Sequence, residues 1–205
     1  MQTNRPRIYL ASRSPRRREL LHQIGVRFEL LLFRAAPRED AEVDERQMPG
    51  EAADDYVVRV CRAKALHGTR QMLQRRLPER LLLAADTTLD LDGETIGKPR
   101  DAQDAAAILG RLSNRTHRVL TAVALASGTR IEHVLSVSEV RFRALQADEI
   151  RHYIATGEPL DKAGAYGIQG HAAIFVADIR GSHSGIVGLT LCETALLLRS
   201  FGYPL

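Results

Sequence analysis

The 205-residue chain is 44% apolar and carries 29 Lys and Arg against 25 Asp and Glu, a formal charge of +4. That composition excludes a wholly disordered chain and a strongly cationic one: the length suits one large domain or two small lobes sharing a core, and the small basic excess suits a phosphate-bearing small molecule as well as nucleic acid. Cys61 and Cys192 stand far apart without a C-x-x-C spacing, which excludes a disulfide framework by count and favours a reducing cytoplasm, and no apolar run approaches the ~20 residues that a membrane span needs.

Ile8 to Ala11 is a short apolar run that enters Ser12-Arg13-Ser14-Pro15, after which Leu20, Leu21 and Ile24 recur at helical spacing until Gly25. The pattern predicts strand, loop and helix, with Ser14 as the capping residue and Pro15 in the tolerant first turn. Phe28 to Phe33 reads as a second strand, Arg34 to Gly50 as a long polar loop, and Glu51 to Leu73 as a helix. Leu81 to Ala85 is a continuous apolar run of the kind found in buried central strands, and Asp92-Gly93 signals a hairpin between 89–91 and 94–96. Asp101 to Leu112 reads as a capped helix, Val119 to Ala126 and Val134 to Phe142 as paired strands, and Ala147 to Thr156 as a helix. Ala173 to Ile179 then reads as a strand and Leu189 to Phe201 as a closing helix. The alternation predicts an α/β protein with a bent mixed sheet.

Four stretches carry chemistry. In Ser12-Arg13-Ser14-Pro15-Arg16-Arg17, hydroxyls, helix N-terminal amides and guanidinium groups converge within a turn, a design for binding phosphate. A solvated basic helix start is the plain alternative, although arginine in a first turn opposes the helix dipole. Asp86-Thr87-Thr88 places a carboxylate where a buried strand is expected to end. An aspartate at its ordinary pKa of ~3.9 is a weak base toward water and needs a metal or a raised pKa to activate one; a turn aspartate is the structural alternative. Gly93 to Pro99 invites comparison with a Walker A loop and fails it, with three residues between the glycines and proline after the lysine. Lys98 remains as a point charge on a Gly-Pro loop. Gly157 to Gly170 holds four glycines in fourteen residues, which suits either a pocket lining or a surface turn. The seven histidines show no zinc-binding spacing, and no G-x-S-x-G elbow occurs.

Taken in order and spacing, Ser12 to Arg17, Asp86-Thr87, Gly97 to Asp101, Glu158 to Gly170, and Val187-Gly188-Leu189 with Glu193-Thr194 resemble the Maf family over almost the whole chain. The resemblance implies one domain over 1–205, an elongated α/β structure with two lobes around a deep cleft, similar to inosine triphosphatases, and a homodimer. It implies a nucleoside triphosphate pyrophosphatase using a divalent metal (Mg, Mn or Co), with dTTP and UTP, and modified forms such as 5-methyl-UTP or pseudo-UTP, as substrates. Asp86 matches the proton acceptor and also a metal ligand, and Glu45 the second metal ligand, with Asp44 beside it as the alternative. Arg17, Lys64, Lys98 and, to a lesser degree, Lys162 match positions that bind the triphosphate, together with the Ser12 hydroxyl. Arg16, Thr87 and Gln169 match the positions that separate substrate branches. Thymine and uracil offer an acceptor at O4 beside a donor at N3, which one glutamine amide satisfies, whereas the adjacent donors of guanine suit a carboxylate. The rivals are a purine-directed pyrophosphatase, such as one acting on 7-methyl-GTP, and a nucleotide- or nucleic-acid-binding regulator of septum formation. Five Tyr, five Phe and no Trp offer few stacking platforms for the latter, so stable nucleic-acid binding is not expected.

Overall fold

A computed structural model describes residues 6–32 and 43–205. The parts of the expected second strand and long loop that fall at 33–42 lie outside the described residues.

Alternation in the two central strands sets the architecture. In β3 (Leu82–Leu91), Leu82 and Ala84 face one way and Leu83, Ala85, Leu89 and Leu91 the other; in β5 (Thr116–Ser127), Leu120, Ala122, Ala124 and Ala126 oppose Val119, Val123 and Leu125. Both faces are apolar, so both must be covered. The first is covered by α2 (Ala53–Gln74) through Val57, Cys61, Ala65 and Met72. The second takes Leu20 and Leu21 of α1 (Pro15–Gln23), Ile108 and Leu109 of α3 (Ala102–Leu112), Ile150 and Tyr153 of α4 (Ala147–Ala155), Ile186 of α5 (His183–Val187) and Leu197 and Leu198 of α6 (Leu191–Ser200).

The sheet is mixed, in the order β2-β1-β3-β5-β6-β7, with β1 (Ile8–Leu10) parallel to β2 (Phe28–Leu30) and to β3, and with β5, β6 (Arg130–Phe142) and β7 (Val176–Arg180) antiparallel in turn. The short β4 (Glu94–Ile96) returns on β3 through the Asp92-Gly93 turn. The expected α/β mixed sheet flanked by helices is therefore present.

Four local expectations change. β3 runs through Asp86 without a break, because β5 pairs with it from Leu82 to Asp90 and Thr88 and Asp90 are buried. Ser14 makes no side-chain cap; its N–H instead donates to Ser12 Oγ at 3.2 Å. His171–Phe175 is a 3-10 turn, so β7 begins only at Val176. Before α6 lies the separate α5, capped by Ser182 Oγ accepting from the Gly185 N–H; five residues are too few to show a period.

Candidate active site

On the side away from β5, β3 has two partners with a gap between them. β1 pairs with Leu82 and Leu83 and ends, the Ala11 N–H still donating to the Leu83 carbonyl, while β4 begins pairing only at Leu89. Between these points Ala84 to Thr88 opens on a window in the sheet, and Asp86 and Thr87 lie in its middle. The carboxylate is thus not at the end of its own strand, as the sequence suggested; it lies where the neighbouring strand stops.

Strand alternation sends Asp86 to the α2 face and Thr87 to the other. Asp86 is buried, and its Oδ1 accepts from Lys64 Nζ at 2.6 Å. Lys64 lies one helical turn beyond Val60 and Cys61, at the margin of the α2 stripe that packs on the sheet. Its ammonium also lies 2.9 Å from Glu45 Oε1, so one nitrogen joins two carboxylates. The segment carrying Glu45 is tied to α2: Tyr56 donates to the Glu45 carbonyl at 2.9 Å, and Arg59 donates to the carbonyls of Asp44 and Arg46. The Asp44 carboxylate is exposed and engaged by Arg46, whose guanidinium holds it well below the usual carboxylate range. Among the described residues no three His, Cys, Asp or Glu side chains converge as a metal cluster.

On the opposite face Arg17 enters from the first turn of α1. Its Nε donates to the Gly188 carbonyl at 2.8 Å, Nη1 to Ser12 Oγ at 3.2 Å and Nη2 to Thr87 Oγ1 at 3.2 Å. All three acceptors are neutral, and no carboxylate among the described residues is in hydrogen-bonding range of the guanidinium. Burial lowers its pKa from the ordinary value, and Asp86 opposes that shift from a distance. A half-buried cation satisfied only by neutral dipoles is suited to receive an anion. Thr87 Oγ1 is also 2.9 Å from Thr121 Oγ1, which donates to the Gly185 carbonyl at 2.7 Å. Thr121 was not singled out from the sequence, although it stood as a polar break in the apolar run of β5.

Gly97 and Lys98 follow β4 at the level of Leu89, and the Gly97 carbonyl accepts from the Gly164 N–H at 2.9 Å, which seats the glycine-rich stretch beside the sheet. Lys98 is exposed and makes no side-chain hydrogen bond among the described residues. Lys162 is turned inward, bonded to the Glu158 carbonyl and to Asp161. Burial raises the pKa of the Asp161 carboxylate, and Lys162 and, more weakly, Arg16 lower it, for a net downward shift. Gln169 is exposed, also without a side-chain bond among the described residues. The structure thus gathers Asp86, Lys64 and Glu45 on one face and Ser12, Arg17 and Thr87 on the other, joined through the Asp86-Thr87 backbone, and shows no direct contact of Lys98, Lys162, Arg16 or Gln169 with Asp86.

The family described as Maf-like protein matches residues 7–201. A dTTP/UTP pyrophosphatase of Aromatoleum aromaticum is 64% identical over 100% of both chains, and one of Dechloromonas aromatica is 57% identical over 96% of this chain and 98% of its own. One of Cupriavidus pinatubonensis is 58% identical over 94% and 95%. The Staphylococcus aureus Ham1 protein superposes with a TM-score of 0.42 and 14% identity over 67% of this chain and 72% of its own, too distant to add to the assignment. With the family's span running from β1 to the end of α6 and relatives alike along their whole length, the chain belongs to the Maf-like family.

Proposed function

We propose that the chain is a pyrophosphatase of dTTP and UTP, releasing the nucleoside monophosphate and pyrophosphate. The observation that carries this is end-to-end likeness to proteins named dTTP/UTP pyrophosphatase, 64% identical in the nearest case quoted above. The window in the sheet gives the activity a chemistry. Asp86 accepts a proton from water, the water oxygen forms a bond to the α-phosphorus, and the bond to the α,β-bridging oxygen breaks with its electron pair leaving on pyrophosphate. Charge stabilisation is the main demand of such a transfer. Arg17 supplies a fork already aimed by Gly188, Ser12 and Thr87, and Lys64 holds the Asp86 carboxylate in place; Lys98, exposed and without a side-chain bond among the described residues, and Lys162 are assigned to the outer phosphates.

Asp86 and Glu45 fit a divalent cation, since two hard carboxylate donors converge on a single cationic atom at 2.6 and 2.9 Å. Mg²⁺, Mn²⁺ or Co²⁺ held by one or two carboxylates and substrate phosphate oxygens would neutralise phosphate charge. Glu45 is favoured over Asp44 because Asp44 is taken by Arg46. The base is assigned to the amide of Gln169, with Arg16 as a further selecting side chain and Thr87 acting through its hold on Arg17. A basic excess this small, with the cations gathered around the window, also supports a small polyanion over nucleic acid as ligand.

The test is release of pyrophosphate from a panel of nucleoside triphosphates with Mg²⁺ or Mn²⁺. Turnover greatest on dTTP and UTP supports the proposal. Release of single phosphates, or preference for purines, sinks it.

A further inference from the structure

We infer that Tyr153 and Glu158 form a positioning pair for base selection, fixing the turn that presents Gln169; the inference rests on the assignment of Gln169 as the base-reading side chain. Neither residue reaches the window, and both act on the backbone on either side of Gln169. The Tyr153 hydroxyl, from α4, accepts from the Gly167 N–H at 3.2 Å and donates to Glu158 Oε1 at 2.9 Å. Glu158 Oε2 accepts from the His171 N–H at 3.0 Å and lies 3.2 Å from His171 Nδ1. Between these anchors the Gly170 N–H donates to the Gly167 carbonyl at 3.0 Å, and Ile168 is buried in the larger core.

The turn is therefore held at Gly167, Gly170 and His171, while the Gln169 amide is exposed and bonded to no other described residue. The Glu158 carboxylate is spent on this turn. Lys162 bonds the carbonyl of Glu158 and the carboxylate of Asp161, and no arginine pairs with the Glu158 side chain among the described residues. The fit is close: a Cβ on Gly170 would overlap the Glu158 carboxylate, which would have to move out of its place in this turn. A side chain that must meet an acceptor and a donor on one base edge selects only as well as its backbone is placed, which is what a supporting layer of hydrogen bonds provides.

The experiment is steady-state kinetics with UTP and GTP on the wild type, Tyr153→Phe, Glu158→Gln, Gln169→Ala and the double variant Tyr153→Phe/Gln169→Ala, below the melting temperature of each. Tyr153→Phe keeps the buried ring and removes the hydroxyl; Glu158→Gln serves in its place if that variant melts too low. The expected result is a fall of about tenfold in kcat/KM for UTP relative to GTP, carried mainly by KM, with no further fall when Gln169 is already alanine. An unchanged ratio, or an equal loss of kcat on both nucleotides, overturns the inference and leaves the pair merely structural. If Gln169→Ala itself retains the wild-type ratio, the assignment of Gln169 is what fails, and the inference goes with it.

Discussion

Arg17 spans three separate parts of the chain with one side chain: the loop after β1 through Ser12, the middle of β3 through Thr87, and the α5–α6 junction through Gly188. Lysine in its place keeps the charge but reaches at most part of that set, since its ammonium lacks the planar fork. Arg17→Lys is expected to lower kcat/KM for UTP by about a hundredfold, measured as pyrophosphate release, with less than a few degrees of change in melting temperature. Asp86 presents the complementary case. Asparagine preserves its size and its place in β3 but cannot take a proton. Asp86→Asn should therefore lose about 10²- to 10⁴-fold in kcat while calorimetric titration still shows nucleotide binding, and full turnover would remove Asp86 as the base. At this scale the sequence exposed the residue types more readily than their contacts. Ser12 and Arg17 share a turn and could be paired by spacing, whereas Lys64 meets Asp86 across 22 positions, and Glu45 was reachable only through the family resemblance.

Among the elements, β3 does most to place the site, because it is central enough to be buried yet loses its β1 partner beyond Leu83. The sequence marked 81–85 and 89–91 as strand and left Asp86 to Thr88 as a break, since a charged residue in an apolar run ordinarily ends a buried strand. What overrode that local signal is the continuous ladder to β5, whose own polar Thr121 faces Thr87. The glycine-rich stretch poses a related problem, as spacing alone did not separate a pocket lining from a surface turn. The structure shows why one of its glycines is required: Gly164 has φ of +71°, and a Cβ there would overlap the buried side chain of Leu89 on β3. Gly164→Ala combines a disfavoured backbone angle with overpacking of the core, and should cost about 2–4 kcal/mol. Urea melts would show this directly. The same variant should lower kcat/KM for UTP, because the Gly164–Gly97 hydrogen bond joins this stretch to the Lys98 loop; a variant as stable and active as the wild type would show that the contact is dispensable.

Across the whole molecule, the face of the sheet opposite α2 carries the larger core, and at its centre a histidine is buried among aromatic rings. His117, on β5, packs edge-on against Phe142 and Tyr166, and its Nε2 is 2.8 Å from the Tyr166 hydroxyl. Burial pushes its pKa down to about 4, so the folded protein holds it neutral where an exposed histidine would be charged. Stability from this group is complete above the unfolded value of about 6.5 and is lost as pH falls toward 4, because the unfolded chain takes up the proton first. Between pH 7 and pH 5 the loss from His117 is about 2 kcal/mol. Glu51 and Glu149, held at about 2 by Arg59 and Arg143, stabilise the fold fully above the ordinary carboxylate range and lose that contribution only as pH falls through it, so they change little between pH 7 and pH 5. His133 is also shifted down by burial, so the profile of the wild type alone does not isolate His117. His117→Gln does, since it removes the titrating group and keeps a partner for Tyr166. Denaturant titrations at pH 7 and pH 5 should show the wild type losing about 2 kcal/mol more than the variant over this interval. Equal losses would mean that the imidazole becomes charged inside the folded core without penalty, contrary to its surroundings of aromatic rings and a single hydroxyl.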